Sequence, residues 1–237
     1  MSYPHSSSTA PRGDTRRRDE GRLDLGDGCW LRHDPRWLAS VDADALLDQL
    51  HTQLQWEQRA IVLFGREVMQ PRLVAWAGDL PYRYSGKTLP PKPPPPPLEL
   101  VMRQVSEATG EAFNHVLANR YRDGRDSMGM HSDDEPELGL DPTVASLSLG
   151  APRRFVFVTK AAPKRRRAIV LEHGSLLVMG GRFQRHYRHG VPKATMTQPA
   201  TTPLIAAPQS ERVSLTFRRV LRAPKSRSAL KPRPKRR

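Results

Sequence analysis

The sequence predicts an α+β protein, a jelly roll of short antiparallel strands with helices packed outside it. Two observations carry this. Apolar residues first recur at helical spacing in two stretches, and after Gly110 the chain breaks into segments of about 5 to 9 residues between Gly, Pro or charged turns. Two helices followed by six or more such strands point to a sandwich or jelly roll. At 237 residues the chain suits one domain of about 200 residues with tails.

In chain order, residues 1–28 are polar, Ser- and Arg-rich and aperiodic, which predicts a disordered tail; its five Arg and five acids cancel. "SVDADALLDQLHTQL" then turns helical, with Asp in the first turn and Leu46, Leu47, Leu50 and Leu54 on one face. A second helix follows the proline run at 93–97, with Leu98, Val101, Met102 and Val105 on one stripe and Gly110 as its stop. The strands are "HVLANRY", "TVASLSLG", "RRFVFVTK", "RAIVLEH", "SLLVMGG" and "RVSLTFRRV", and "TKAAPKRRRAI" makes a basic hairpin loop between two of them. The domain is placed at 29–221. Residues 222–237 form a second disordered tail, with eight basic residues and no acid.

Charge and cysteine narrow the function. The net charge of +15 and the pI near 10.8 favour an anionic partner, above all nucleic acid, whose counterions clustered Lys and Arg displace. A single cysteine, Cys29, excludes an internal disulfide, and the Ser- and Arg-rich start lacks a secretory apolar run. No window approaches a membrane span. A monomer is expected, cytoplasmic and nucleoid-associated in a bacterium or nuclear in a eukaryote.

Against that basic background, "MGMHSDDEPELG" gathers one histidine and four acids. His131 and Asp133 stand two apart, so on a strand both leave one face, as two ligands of one metal must. A site of two histidines and one carboxylate leaves positions open for co-substrate and oxygen. His173, His186 and His189 are the candidates for the second histidine, and spacing does not choose among them. In "RVSLTFR", Val213, Leu215 and Phe217 alternate with Arg212, Ser214, Thr216 and Arg218. Such a strand lies either at the surface or along a polar cavity, where the two arginines could close on a small dicarboxylate.

Together "NHVLANRYRDGRDSMGMHSDDE", "SLSLGAPRRFVF", "HGSLLVMGG", "HGVPK" and "RVSLTFR" resemble, in family order, the AlkB family of iron(II)- and 2-oxoglutarate-dependent dioxygenases, most closely its duplex-DNA-repair members. The resemblance runs from Trp56 to Leu221. It implies a double-stranded β-helix and selects His189 before "GVP", giving His131, Asp133 and His189 as ligands of Fe(II). It also implies 2-oxoglutarate contacts at Asn119, Tyr121, Arg212, Thr216 and Arg218, with O2 as oxidant.

The activity so implied is removal of N-methyl groups from bases such as 1-methyladenine and 3-methylcytosine in DNA, with release of succinate, CO2 and formaldehyde. A methyl on the Watson–Crick edge requires a flipped or single-stranded base. Residues 55–127 are then expected to include nucleotide-recognition elements. Phe64 and Arg66 stand at an expected hairpin tip, Phe64 being either a wedge in the duplex or an ordinary core residue. Tyr82, Tyr84 and Ser85 in "YRYSG" would line the base pocket, with Asp134 and Glu135 as acceptors facing the base. The alternatives are the same chemistry on RNA or tRNA, a dioxygenase of proteins or small molecules, and a non-catalytic nucleic-acid-binding protein. Two departures from the family pattern, "PPKPPPPP" and the long stretch between His189 and Arg212, look like loop insertions.

Overall fold

The computed structural model describes residues 21–63, 65–84, 86–194 and 211–222. The first strands arise where only tail was expected. "RLDLGDGC" contains an Asp-Gly pair, and Asp27 and Gly28 both take positive φ, 53° and 71°, as a tight hairpin turn requires. β1 (Arg22–Gly26) therefore pairs antiparallel with β2 (Cys29–Asp34), and the domain begins before residue 29. Local turn chemistry outweighs composition here, with Leu25 packed against the core.

The two expected helices form. The first, α1 (Ser40–Gln53), buries Ala43, Leu46 and Leu50. Next come two hairpins and a strand: β3 (Ala60–Leu63) with β4 (Arg66–Met69), β5 (Leu73–Gly78), and β6 (Tyr82–Tyr84) with β7 (Lys87–Leu89). The second helix, α2 (Pro96–Thr109), starts with proline in its first turn, where the missing N–H costs nothing. It buries Leu98, Val101 and Val105 and ends at Gly110, whose φ of 75° is the left-handed cap glycine accepts most easily. The proline run is short of free loop: Lys92 bridges to Gly78, and the Trp76 indole N–H donates to the Pro90 carbonyl at 2.9 Å.

The remaining elements are β8 (His115–Tyr121), β9 (Met128–His131), β10 (Val144–Gly150), β11 (Arg153–Thr159), β12 (Arg166–Leu171), β13 (Leu176–Gly181), a one-turn helix α3 (Phe183–His186), β14 (Tyr187–Val191) and β15 (Arg212–Arg218), with a 3-10 turn at Pro136–Leu138. Seven strands form one sheet in the order β1-β2-β13-β10-β15-β8-β5, and four form another in the order β12-β11-β14-β9. All their pairings are antiparallel, which is the jelly roll expected.

Alternation along β15 decides what lies where. Val213, Leu215 and Phe217 join the helices' Leu46, Leu50, Val101 and Val105 in one apolar cluster. The opposite face of the same strand looks between the sheets, where Tyr121, Phe155, Phe157, Leu171 and Met179 form a second cluster. No helix among the described residues is long and apolar enough to cross a membrane.

Candidate metal centre and co-substrate pocket

The polar face of β15 lines a pocket between the two sheets, with empty space of about 400 Å³ counting its open mouth. Arg212, Ser214, Thr216 and Arg218 all border it, so the strand lies along a cavity and not at the surface. Asn119 and Tyr121 share a face of β8 and meet Ser214 and Arg212 across the sheet. Ser146 and Ser148 of β10 stand opposite Thr216 and Ser214.

The small sheet supplies the histidines. β14 pairs with β9 so that His189 stands directly opposite His131, with ring centroids 4.4 Å apart. Asp133 lies just beyond the end of β9, not within the strand, and its carboxylate swings in to 3.5 Å from His189 Nε2. One ligand atom each from His131, Asp133 and His189 fall within 4.8 Å of one another, a group able to hold a metal ion. The other two candidates stand apart. His173 accepts the Gly150 N–H at 2.8 Å and meets Asp44, while His186 closes α3.

His131 and Asp133 are held in ligating forms. His131 Nδ1 donates to the Gly129 carbonyl at 2.9 Å, which leaves Nε2 with its lone pair free. Burial, then the neighbouring His189, brings the His131 pKa down to about 4, so the ring is neutral at pH 7. Burial alone would raise the Asp133 carboxyl; Arg218 and the two histidines outweigh it and hold the group well below the usual range. Arg218 donates through Nε at 3.1 Å and NH2 at 2.6 Å to Asp133 Oδ1. The Asp133 N–H donates to Gln184 Oε1 at 3.0 Å. Asp133 Oδ2 and His189 Nδ1 are buried with no hydrogen-bond partner. A carboxylate oxygen left open beside two imidazoles fits a cation.

Arg212 fits an anion. It is 1% exposed; its NH2 donates to Ser148 Oγ at 2.9 Å, and the guanidinium lies over the Tyr121 ring, 5.1 Å from the centroid. Nε and NH1 are buried without partners, and burial depresses the pKa of the group. A buried guanidinium with open donors is costly until a carboxylate fills them. The pair of arginines is therefore not the symmetric clamp the sequence suggested, because Arg218 spends two donors on Asp133.

The substrate-side residues are less gathered. Phe64 and Ser85 lie outside the described residues, as does the side chain of Tyr84; β3 and β4 pair with Leu63 opposite Arg66, and Arg66 is exposed. Tyr82, expected as a polar contact to a base, is fully buried, its ring edge-on to His115 at 4.7 Å. Its phenol neighbours Glu135, whose carboxyl is pushed up by burial and by Asp133. Asp134 is exposed and paired with Lys160 at 3.0 Å.

Sequence reasoning missed Ser146, Ser148, Gln184, Arg72 and Lys160. The two serines were legible, since they alternate with Ala145, Leu147 and Leu149. Arg72 carried no signal, though its Nε donates to Asn119 Oδ1 at 2.7 Å.

Residues 31–218 match the family model of the 2OG-Fe(II) oxygenase superfamily. The chain is 38% identical over 200 residues to the alpha-ketoglutarate-dependent dioxygenase alkB homolog 3 of Bos taurus, covering 81% of this chain and 66% of that protein. It is 40% identical over 193 residues to the DNA oxidative demethylase ALKBH2 of Homo sapiens, covering 76% and 70%. This chain thus spans just under two thirds of the alkB homolog 3 length. A solved structure, that of OsALKBH1, superposes with a TM-score of 0.56 at 20% identity over 84% of this chain and 99% of that one, a likeness of fold.

Proposed function

The chain belongs to the 2OG-Fe(II) oxygenase superfamily and, within it, to the AlkB family, and from that premise we propose that it is an oxidative demethylase of N-alkylated bases in DNA. The observation that carries the reading is the pairing of an open His131–Asp133–His189 cluster with the unfilled donors of buried Arg212.

In this assignment His131, Asp133 and His189 hold Fe(II), and Arg212 takes the distal carboxylate of 2-oxoglutarate. Asn119, Tyr121 and Thr216 border the co-substrate, and Arg218 contributes by fixing Asp133 as well as by lining the pocket. Bound iron with 2-oxoglutarate and O2 supplies oxidation of the methyl group; the hydroxymethyl product sheds formaldehyde and leaves the base restored, with succinate and CO2. The protein's own part is orientation and exclusion of water: Phe155 stacks on His189 at 5.3 Å, and Leu171, Met179 and Val191 wall the pocket. The partner is DNA, as the name of the human relative states for that protein, and the body's basic surface suits its phosphates. The enzyme would act as a monomer, with Phe64, Arg66, Tyr84, Ser85, Asp134 and Glu135 on the substrate side.

The test is anaerobic loading with iron(II) and 2-oxoglutarate, then oxygen, with an oligonucleotide carrying 1-methyladenine or 3-methylcytosine. Succinate, formaldehyde and restored base should appear together and vanish in His131→Ala, Asp133→Ala and His189→Ala. Succinate without restoration would remove the substrate from the reading, and an iron-loaded, folded protein without turnover would remove the activity.

A further inference from the structure

The basic loop that opens at Lys160 was expected only to carry charge, yet its first residue is fastened to the segment that bears Asp133. The Lys160 N–H donates to the His186 carbonyl at 2.7 Å. Its ammonium donates to the Gln184 carbonyl at 2.8 Å and to Asp134 Oδ2 at 3.0 Å. Gln184 is the same residue whose side chain accepts the Asp133 N–H. The Lys160 and Asp134 side chains are 28% and 59% exposed, so the pair is reached by solvent on the segment that directly follows Asp133, and it is too solvated to add more than about 1 kcal/mol of stability.

Its consequence is electrostatic. A carboxylate beside the metal ligands attracts a cation and repels a carbonyl oxygen, and an ammonium bound to it cancels much of both effects. We propose that Lys160 is a positioning residue that holds and neutralises Asp134, and so sets how strongly the site distinguishes cationic N-methylated bases from neutral ones. The assignment rests on the demethylase function proposed above. It gives the hairpin loop a part in choosing the base as well as in holding phosphate.

Two probes of nearly equal shape separate charge from fit: single-stranded oligonucleotides carrying 3-methylcytosine, which is cationic at neutral pH, or 3-methylthymine, which is neutral. The iron-loaded full chain gives kcat/KM for each, and the iron-free chain gives Kd for each by fluorescence anisotropy. Lys160→Met should raise the preference for 3-methylcytosine roughly three- to tenfold in both readouts. Lys160→Arg should restore it, and Lys160→Met added to Asp134→Asn should leave it unchanged.

An unchanged preference in Lys160→Met, or an equal shift in the Asp134→Asn background, would overturn the proposal. So would a uniform loss for both probes with a binding-versus-salt slope shallower by about 0.7, which would make Lys160 a phosphate contact. If the unsubstituted chain consumed 2-oxoglutarate and restored neither base, the demethylase function itself would fall, before any variant was compared.

Discussion

Arg212 and Arg218 look alike in "RVSLTFR" and are equally buried, yet they face opposite problems. Arg218 has its anion, Asp133, already in the fold, whereas Arg212 awaits one. Replacing each by Met separates them. Arg218→Met strands the Asp133 carboxylate, and losing one partner of a buried pair costs about 3–5 kcal/mol, so the iron-free variant should unfold at much lower urea. Arg212→Met removes a buried cation that no carboxylate of the fold balances, so the iron-free protein should be no less stable than its parent. Its KM for 2-oxoglutarate, read from succinate formation, should nevertheless rise 100-fold or more, the loss expected when a buried charge contact worth at least about 3 kcal/mol goes. A KM within a few-fold of the parent would show that the co-substrate's distal carboxylate is held elsewhere.

At the level of elements, the centre depends on how closely β14 and β9 approach. A Cβ at Gly190 would stand 2.7 Å from the Met128 carbonyl oxygen and 2.9 Å from that of Gly129, both backbone atoms that cannot turn aside. Gly190→Ala should therefore push the strands apart beside the His131–His189 pair and weaken iron binding at least tenfold in a chelator competition, while the melting temperature drops by only a few degrees. Undiminished affinity would mean that the pair closes from another direction. This contact was not legible in the sequence, because it joins residues about 60 positions apart. The strands themselves were, since their apolar texture and turns are local, and so was the polar face of β15. The Asp27-Gly28 turn was equally local but lay in a stretch of neutral, Ser- and Arg-rich composition that argued against structure. The histidine facing His131 became definite through family resemblance; strand register then placed His189 there. Lys160 and Gln184 meet Asp134 and Asp133 only through tertiary packing, so no spacing could announce them.

Across the whole molecule, charge is sorted by depth. Among the described residues most Lys and Arg are exposed or half-buried, while the interior keeps a connected set of ionisable groups, Asp133, Arg218, Tyr82 and Glu135, with His115 beneath them. His115 is 1% exposed, neither ring nitrogen has a partner, and Gly78 leaves room for it, since a Cβ there would come 2.7 Å from its ring. Burial, then the charge of Arg218, lowers its pKa from 6.5 to about 3. The fold therefore holds this ring neutral at a pH where the unfolded chain would protonate it. Its contribution is complete above pH 6.5 and shrinks as pH falls toward 3, because the unfolded state binds the extra proton throughout that window. At pH 5 the loss should be about 2 kcal/mol relative to neutral pH, following 1.4 kcal/mol per unit. His131 titrates in an overlapping range in the iron-free protein, so the measurement is a difference: urea unfolding of the iron-free parent and of His115→Phe at pH 7 and pH 5. The parent should lose about 2 kcal/mol more than the variant between the two. Equal losses would mean that His115 opens to water or takes up its proton within the fold, and that the acid sensitivity of the molecule resides in the metal centre alone.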